Sequence, residues 1–172
     1  MTEIGEYLVG AYLKEIKKCD IVDYNERQQG GGRRGQNELD VIGFDFTNSE
    51  VYLCEVATHI MGLSYGKGNE HTIQKIKDKF KVQQEYYNTN LKDKFNQAHF
   101  MLWAPKVSGG NILEELGNCG NLELVVNEEY TKRVNELIEK SKIDPKTTGN
   151  PHLDYCKLFS IRNNMIKNNY PS

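Results

Sequence analysis

The sequence predicts an α/β fold: a small mixed β-sheet flanked by helices. Three observations carry that expectation. An amphipathic helix opens the chain, two strand-like runs follow across a short turn, and a helix, two further strand-like runs and another helix come after them.

In "TEIGEYLVGAYLKEIKK", residues 2–18, apolar side chains Ile4, Leu8, Ala11, Tyr12 and Ile16 recur at helical spacing. Thr2 is the expected cap, and lysines crowd the end, where the helix dipole favours cations. "CDIVDYNER" predicts a short strand. The next stretch, "QQGGGRRGQ" at 28–36, cannot be regular structure, because consecutive glycines make an ordered helix or strand costly; a basic loop is expected. "NELDVIGFDF" and "EVYLCEVATH" are strand-like and joined by "TNS", which predicts a hairpin. Residues 72–95 carry Ile73, Ile76, Phe80, Gln83 and Tyr87 at helical spacing. "AHFMLWAPKV" and "NLELVV" predict two more strands, and "NEEYTKRVNELIEKSK" a helix after them. No repeat appears, so residues 1–172 are expected to form a single domain, with 140–172 as a C-terminal helical extension.

Composition narrows the function classes. Hydrophobic residues make up 38% and charged residues 27%, ordinary for a soluble protein. No apolar run approaches the roughly 20 residues of a membrane helix, and "MTEIGEYLVG" lacks the pattern of a signal peptide. The four cysteines lie far apart without a CxxC pair, which argues against zinc and for reduced, cytoplasmic thiols. The net charge of −2 does not announce a nucleic-acid binder, so any DNA contact must come from local basic patches. The histidines lack metal-ligand spacing; His59 is notable only for lying close to Glu55.

Alternation along a strand puts Glu38 and Asp40 on one face, and Glu55 and Ala57 on one face. If the two strands pair across "TNS", Asp40 and Glu55 become neighbours. Two carboxylates side by side on buried strands repel each other and lose hydration, which a divalent cation between them relieves. Hard oxygen donors of this kind suit Mg²⁺, with Mn²⁺ as substitute. The plain alternative is a hairpin whose acids face solvent.

Taken in order, these residues resemble the PD-(D/E)XK nuclease superfamily, restriction-endonuclease-like and similar to Holliday-junction resolvases and Mrr-type enzymes, over about residues 3–127. Glu6 in "GEYLVGAYL" matches the first-helix acid, and Asp40 in "NELDVIG" the central metal-binding aspartate. Glu38 takes the place of a frequent extra acid, and Glu55 in "VYLCEVATH" that of the next strand's acid. The resemblance implies a metal-dependent DNA endonuclease leaving a 5′-phosphate and a 3′-hydroxyl, with Glu6, Asp40 and Glu55 holding Mg²⁺. It also implies work in restriction or repair, as a homodimer or within a larger defence or repair complex.

The departure is Ala57, where the family usually carries a lysine that orients the attacking water or offsets phosphate charge. Losing one such donor costs on the order of 100- to 1000-fold in rate, by analogy with oxyanion-hole deletions. Three readings stand side by side. The lysine can come from the following helix, with Lys75 first and Lys79 next, one turn later on the same face. The alanine can be an engineered replacement. Or the site is degenerate and kept for binding nucleic acid or a protein partner, a reading that the retained acids oppose. For DNA contact the sequence offers Arg27, Arg33 and Arg34 around the glycine loop, and Lys67 in "YGKGN", with Lys75, Lys77, Lys79 and Lys81 on the helix. Tyr65, beside Lys67, offers a ring for base stacking. Gln83 and Tyr87 form a QxxxY pair on one helical face, like the pair that helps place the substrate strand in RecB-like nucleases.

Overall fold

The hairpin forms where the turn chemistry directs it. Asp45 closes β2 (Glu38–Asp45), and its carboxylate accepts the backbone N–H of Asn48 at 2.9 Å and the Asn48 side-chain amide at 2.7 Å. This Asx-type closure, with Ser49 in the left-handed region at φ 58°, reverses the chain into β3 (Glu50–Val56). The computed structural model describes residues 2–27, 38–59, 61–143, 150, 151, 153, 154 and 157. Arg33 and Arg34, and most of the expected C-terminal helix, lie outside the described residues.

Around the hairpin, β1 (Ile21–Arg27) pairs antiparallel with β2, and β4 (Gln97–Ala104) and β5 (Leu122–Val126) continue from β3 in parallel. The result is a five-stranded mixed sheet in the order β1-β2-β3-β4-β5. Among the described residues four helices flank it: α1 (Ile4–Glu15), α2 (Asn69–Tyr86), α3 (Gly110–Gly117) and α4 (Asn127–Ile143).

The sheet separates two cores. On one face, Leu8, Val9, Tyr12 and Leu13 of α1 pack with Val41, Cys54, Met101, Trp103 and Val125. On the other face, Ile73, Ile76 and Phe80 of α2 and Ile112 and Leu116 of α3 cover Ile42, Val51, Leu53, Ala57, Phe100 and Leu102. Burying each large aliphatic or aromatic side chain contributes about 1.5–3 kcal/mol, so both faces hold the sheet. The first core also encloses a cation: the Arg133 guanidinium of α4 lies 5.5 Å from the Tyr12 ring centre and 5.4 Å from that of Trp103.

Several boundaries differ from expectation. The first helix begins with Glu3 as its cap, not Thr2, because the Glu3 N–H donates to the Glu6 carboxylate at 2.9 Å; the Thr2 hydroxyl instead accepts from Asn25 Nδ2 at 3.3 Å. It stops at Glu15, and Lys18 follows at φ 64°. The second helix ends at Tyr86, and one wide π-type turn, Tyr87–Leu91, carries the chain on. The sequence reading passed over α3, which fills the crossover between β4 and β5. Within the C-terminal stretch, Leu153 packs against Ala11 and Leu137, and Asn150 donates to the Tyr7 carbonyl at 2.9 Å. Among the described residues, no helix is long and apolar enough to cross a membrane.

Candidate active site

The register of the hairpin builds the site. Val41 stands opposite Cys54, so one step further along the ladder Asp40 stands opposite Glu55. Tyr52 and Cys54 point to the α1 side, while Val51, Leu53 and Ala57 point to the α2 side. By alternation Glu55 shares the α2 side with Ala57. That places a carboxylate at 4% exposure under a helix.

Two donors reach the carboxyl pair from fixed positions. The backbone N–H of Val56 donates to Asp40 Oδ2 at 2.8 Å. From α2, Lys79 Nζ forms an ion pair with Glu55 Oε1. The Tyr65 hydroxyl stands 3.5 Å from the same oxygen, a long contact. Asp40 and Glu55 are themselves close enough for a hydrogen bond between their carboxyls.

The electrostatics follow from this crowding. Burial pushes the Glu55 carboxyl up to about 8, the Asp40 charge adds to the rise, and Lys79 pulls the other way without winning. Asp40 is also raised, by burial first, against the pull of Lys79 and the Val56 N–H, with Glu38 adding repulsion. Burial alone would lower Lys79, but Glu55 and Asp40 outweigh it and hold the ammonium well above its ordinary value. Two buried carboxyls, both raised, thus share a single ammonium, and added positive charge beside them would favour their ionised forms.

The third acid arrives from α1. A Cβ at Gly5 would collide with Thr58 Cγ2, so only glycine lets the start of α1 lie against the chain leaving β3. Glu6 is 7% exposed, and its Oε2 accepts from Glu3 N and, at 3.0 Å, from Asn25 Nδ2. Burial raises its pKa, and the Asp40 charge contributes to that rise. Asn25 sits in β1 between Tyr24, opposite Val41, and Glu26, opposite Leu39, hence beside Asp40, at φ 57°. A left-handed residue inside a strand costs on the order of 1–3 kcal/mol and persists only where the surroundings enforce it. The sequence reading missed Asn25. The available signal was an asparagine, poor in strands but tolerant of this conformation, inside a strand-like run.

Of the other expected site residues, Lys75 makes no ion pair among the described residues, and Lys79 is the lysine at the acids. Gln83, one turn beyond Lys79, is 2% exposed, and both polar atoms of its amide lack a partner among the described residues. The Tyr87 hydroxyl is committed to the fold, donating to the Phe95 carbonyl at 2.9 Å. Arg27 ends β1 opposite Glu38 in the ladder. Lys67 is exposed on the loop before α2, at φ 52°.

The donor set can be tested against a hard divalent cation. Asp40 and Glu55 fit: both are oxygen donors, adjacent, and raised in pKa by burial first. Among the described residues no group of three or more His, Cys, Asp or Glu side chains stands in a metal-holding arrangement. Glu6 adds its charge at Asp40 while its carboxylate is held by Glu3 and Asn25. No protein-family model, curated protein or solved structure matches this chain.

Proposed function

We propose that this chain is a metal-dependent DNA endonuclease built on a restriction-endonuclease-like core of the PD-(D/E)XK kind, with its lysine relocated to Lys79. One observation carries the reading. Ala57 faces the α2 side with no side chain to offer charge, and the ammonium of Lys79 enters from α2 to meet Glu55 on that same side.

Asp40 and Glu55 would hold Mg²⁺ or Mn²⁺, with Glu6 the nearest further acid. The cation, when bound, lowers the pKa of a water and neutralises charge building on the phosphate. Lys79 stays protonated between Glu55 and Asp40, so its part is electrostatic: it faces the scissile phosphate as a fixed cation and takes no proton. The Val56 N–H holds one Asp40 oxygen, which orients the other. Arg27, Arg33, Arg34 and Lys67 are the DNA contacts of this reading, from which the buried Gln83 and the fold-committed Tyr87 drop out, and restriction or repair, as a homodimer or in a larger complex, is its setting.

A second reading has an observation of its own. The ion pair that already occupies Glu55 suits a silent nuclease-like module that binds nucleic acid or a protein.

A cleavage assay separates the two. Supercoiled plasmid and single-stranded DNA are incubated with Mg²⁺ or Mn²⁺, beside EDTA and Asp40→Ala controls. The endonuclease reading expects metal-dependent cutting that Asp40→Ala and Lys79→Ala abolish and Lys75→Ala spares. Cutting lost equally in Lys75→Ala and Lys79→Ala would overturn the relocation. Silence of the native chain and of Ala57→Lys alike would favour the binding module.

A further inference from the structure

The chain between β3 and α2 presents groups that the proposed chemistry leaves unused. His59 is exposed, and its ring meets the Tyr65 ring at 5.4 Å between centres and 65° between planes. Tyr65 packs against the α2-side core with its hydroxyl 3.5 Å from Glu55 Oε1. A single phenol therefore links an exposed aromatic ring to the acid pair. Met61, between them in sequence, is 89% exposed, while Leu63 two residues later is buried.

This aromatic pair is held in place. The Gly62 N–H donates to the His59 carbonyl at 2.9 Å, and the Leu63 N–H to the Lys106 carbonyl at 2.7 Å. The Tyr65 N–H donates to Thr72 Oγ1 at 3.2 Å. Four residues of the stretch, Gly62, Gly66, Lys67 and Gly68, adopt left-handed φ values, which gives the turns that bring Tyr65 back over Glu55 and leave Lys67 exposed. A solvent-facing ring braced on Tyr65, one side chain from the proposed metal-holding acids, has the chemistry of a stacking subsite. Bases inside a duplex have no free face to offer such a ring; unstacked bases do.

We infer that His59, carried on Tyr65, is a base-stacking subsite, and that the substrate at this centre is an unstacked nucleotide of single-stranded or frayed DNA. The inference rests on the endonuclease reading for the chemistry, but its test does not need cleavage. The full chain is titrated in EDTA with fluorescein-labelled oligothymidylate, with the duplex this strand forms with oligodeoxyadenylate, and with an abasic strand of equal length, and fluorescence anisotropy is read.

The single strand is expected to bind more tightly than either the duplex or the abasic strand. His59→Ala is expected to weaken single-strand binding by about tenfold, His59→Phe to restore it, and Tyr65→Phe, which keeps the ring, to retain it. Duplex or abasic DNA binding as tightly as the single strand would overturn the inference. So would an unchanged affinity in His59→Ala, a failure of His59→Phe to restore binding, or no binding by the native chain. A chain that shows this stacking signature yet never cleaves with Mg²⁺ or Mn²⁺ would sink the endonuclease reading and leave the subsite standing.

Discussion

Each face of the sheet holds a cation among carboxylates, and the two clusters are tuned in opposite directions. On the α1–α4 face Arg133, with a side chain 10% exposed, donates to Glu129 at 2.9 Å and also to Glu123, while those acids keep 39% and 43% of their side-chain surface in water. The Arg133 hydrogen bond lowers the Glu129 pKa, as an ordinary ion pair does. On the α2 face Lys79 meets Glu55, whose side chain is only 6% exposed and which already faces Asp40. Here both carboxyls are raised, by burial before anything else. One cation satisfies acids that remain solvated; the other is outnumbered by acids that do not. The first arrangement stabilises a fold. The second holds raised, buried acids, on which the proposed site rests.

Removing each cation should break the contrast most sharply. Arg133→Ala is expected to cost about 1–3 kcal/mol of stability in chemical denaturation, since it empties a buried place between Tyr12 and Trp103 and removes their cation–π contacts, while the acids it leaves stay solvated. Arg133→Met, which keeps the packing, should cost visibly less. Lys79→Ala is expected to lower DNA cleavage on the order of 100- to 1000-fold, and Ala57→Lys placed in that background should return part of it. Full activity in Lys79→Ala would make the α2 cluster a structural pair like the other.

The pH dependence sharpens the same contrast. Glu55 titrates near 8 in the fold against 4.5 when free, so between those values the folded chain holds the extra proton and stability falls as pH rises. The Glu129 shift has the opposite sign: its contribution is present above 4.5 and is lost as pH falls through its lowered folded value. Melting curves should therefore show a decline toward pH 8 that Glu55→Gln flattens, and that Mg²⁺ reverses more at pH 8 than at pH 5. A smaller effect is expected from Asp40→Asn, which removes the repulsion at Glu55 and should raise stability by about 0.5–2 kcal/mol while ending cleavage. Lys75→Ala should change stability by no more than about 0.5 kcal/mol.

The sequence carried much of this, unevenly. The hairpin was legible because the short turn "TNS" joins two strand-like runs, and the hairpin alone brings Asp40 to Glu55. The α3 segment "GNILEELG" was not, being eight residues long and beginning and ending in glycine, too short for periodicity to speak. Lys75 and Lys79 cannot be told apart by helical spacing, since they lie one turn apart on one face. Which turn passes over Glu55 depends on the path of residues 57–68, and that path is set by left-handed residues and by hydrogen bonds to Lys106 and Thr72. Tyr65 was visible as a stacking ring near Lys67, but its contact with Glu55 needed that path. Asn25 was hidden for a related reason: its hydrogen bond to Glu6 goes with a backbone angle that no residue pattern announces.

The order of the sheet has a consequence for how the molecule comes into being. Strands stand side by side in the order in which they are synthesised, β1 to β5, so every strand after the first finds its partner already made. The antiparallel β1–β2–β3 unit needs no crossover, and Asp40, Glu55 and Lys79 fall within one continuous stretch of chain that ends with the first crossover helix. Short-range closure of this kind favours fast folding. The corner of Asp40, Glu55 and Lys79 is therefore laid down early during translation, and the later strands and helices close over a geometry that the first half of the chain has already set.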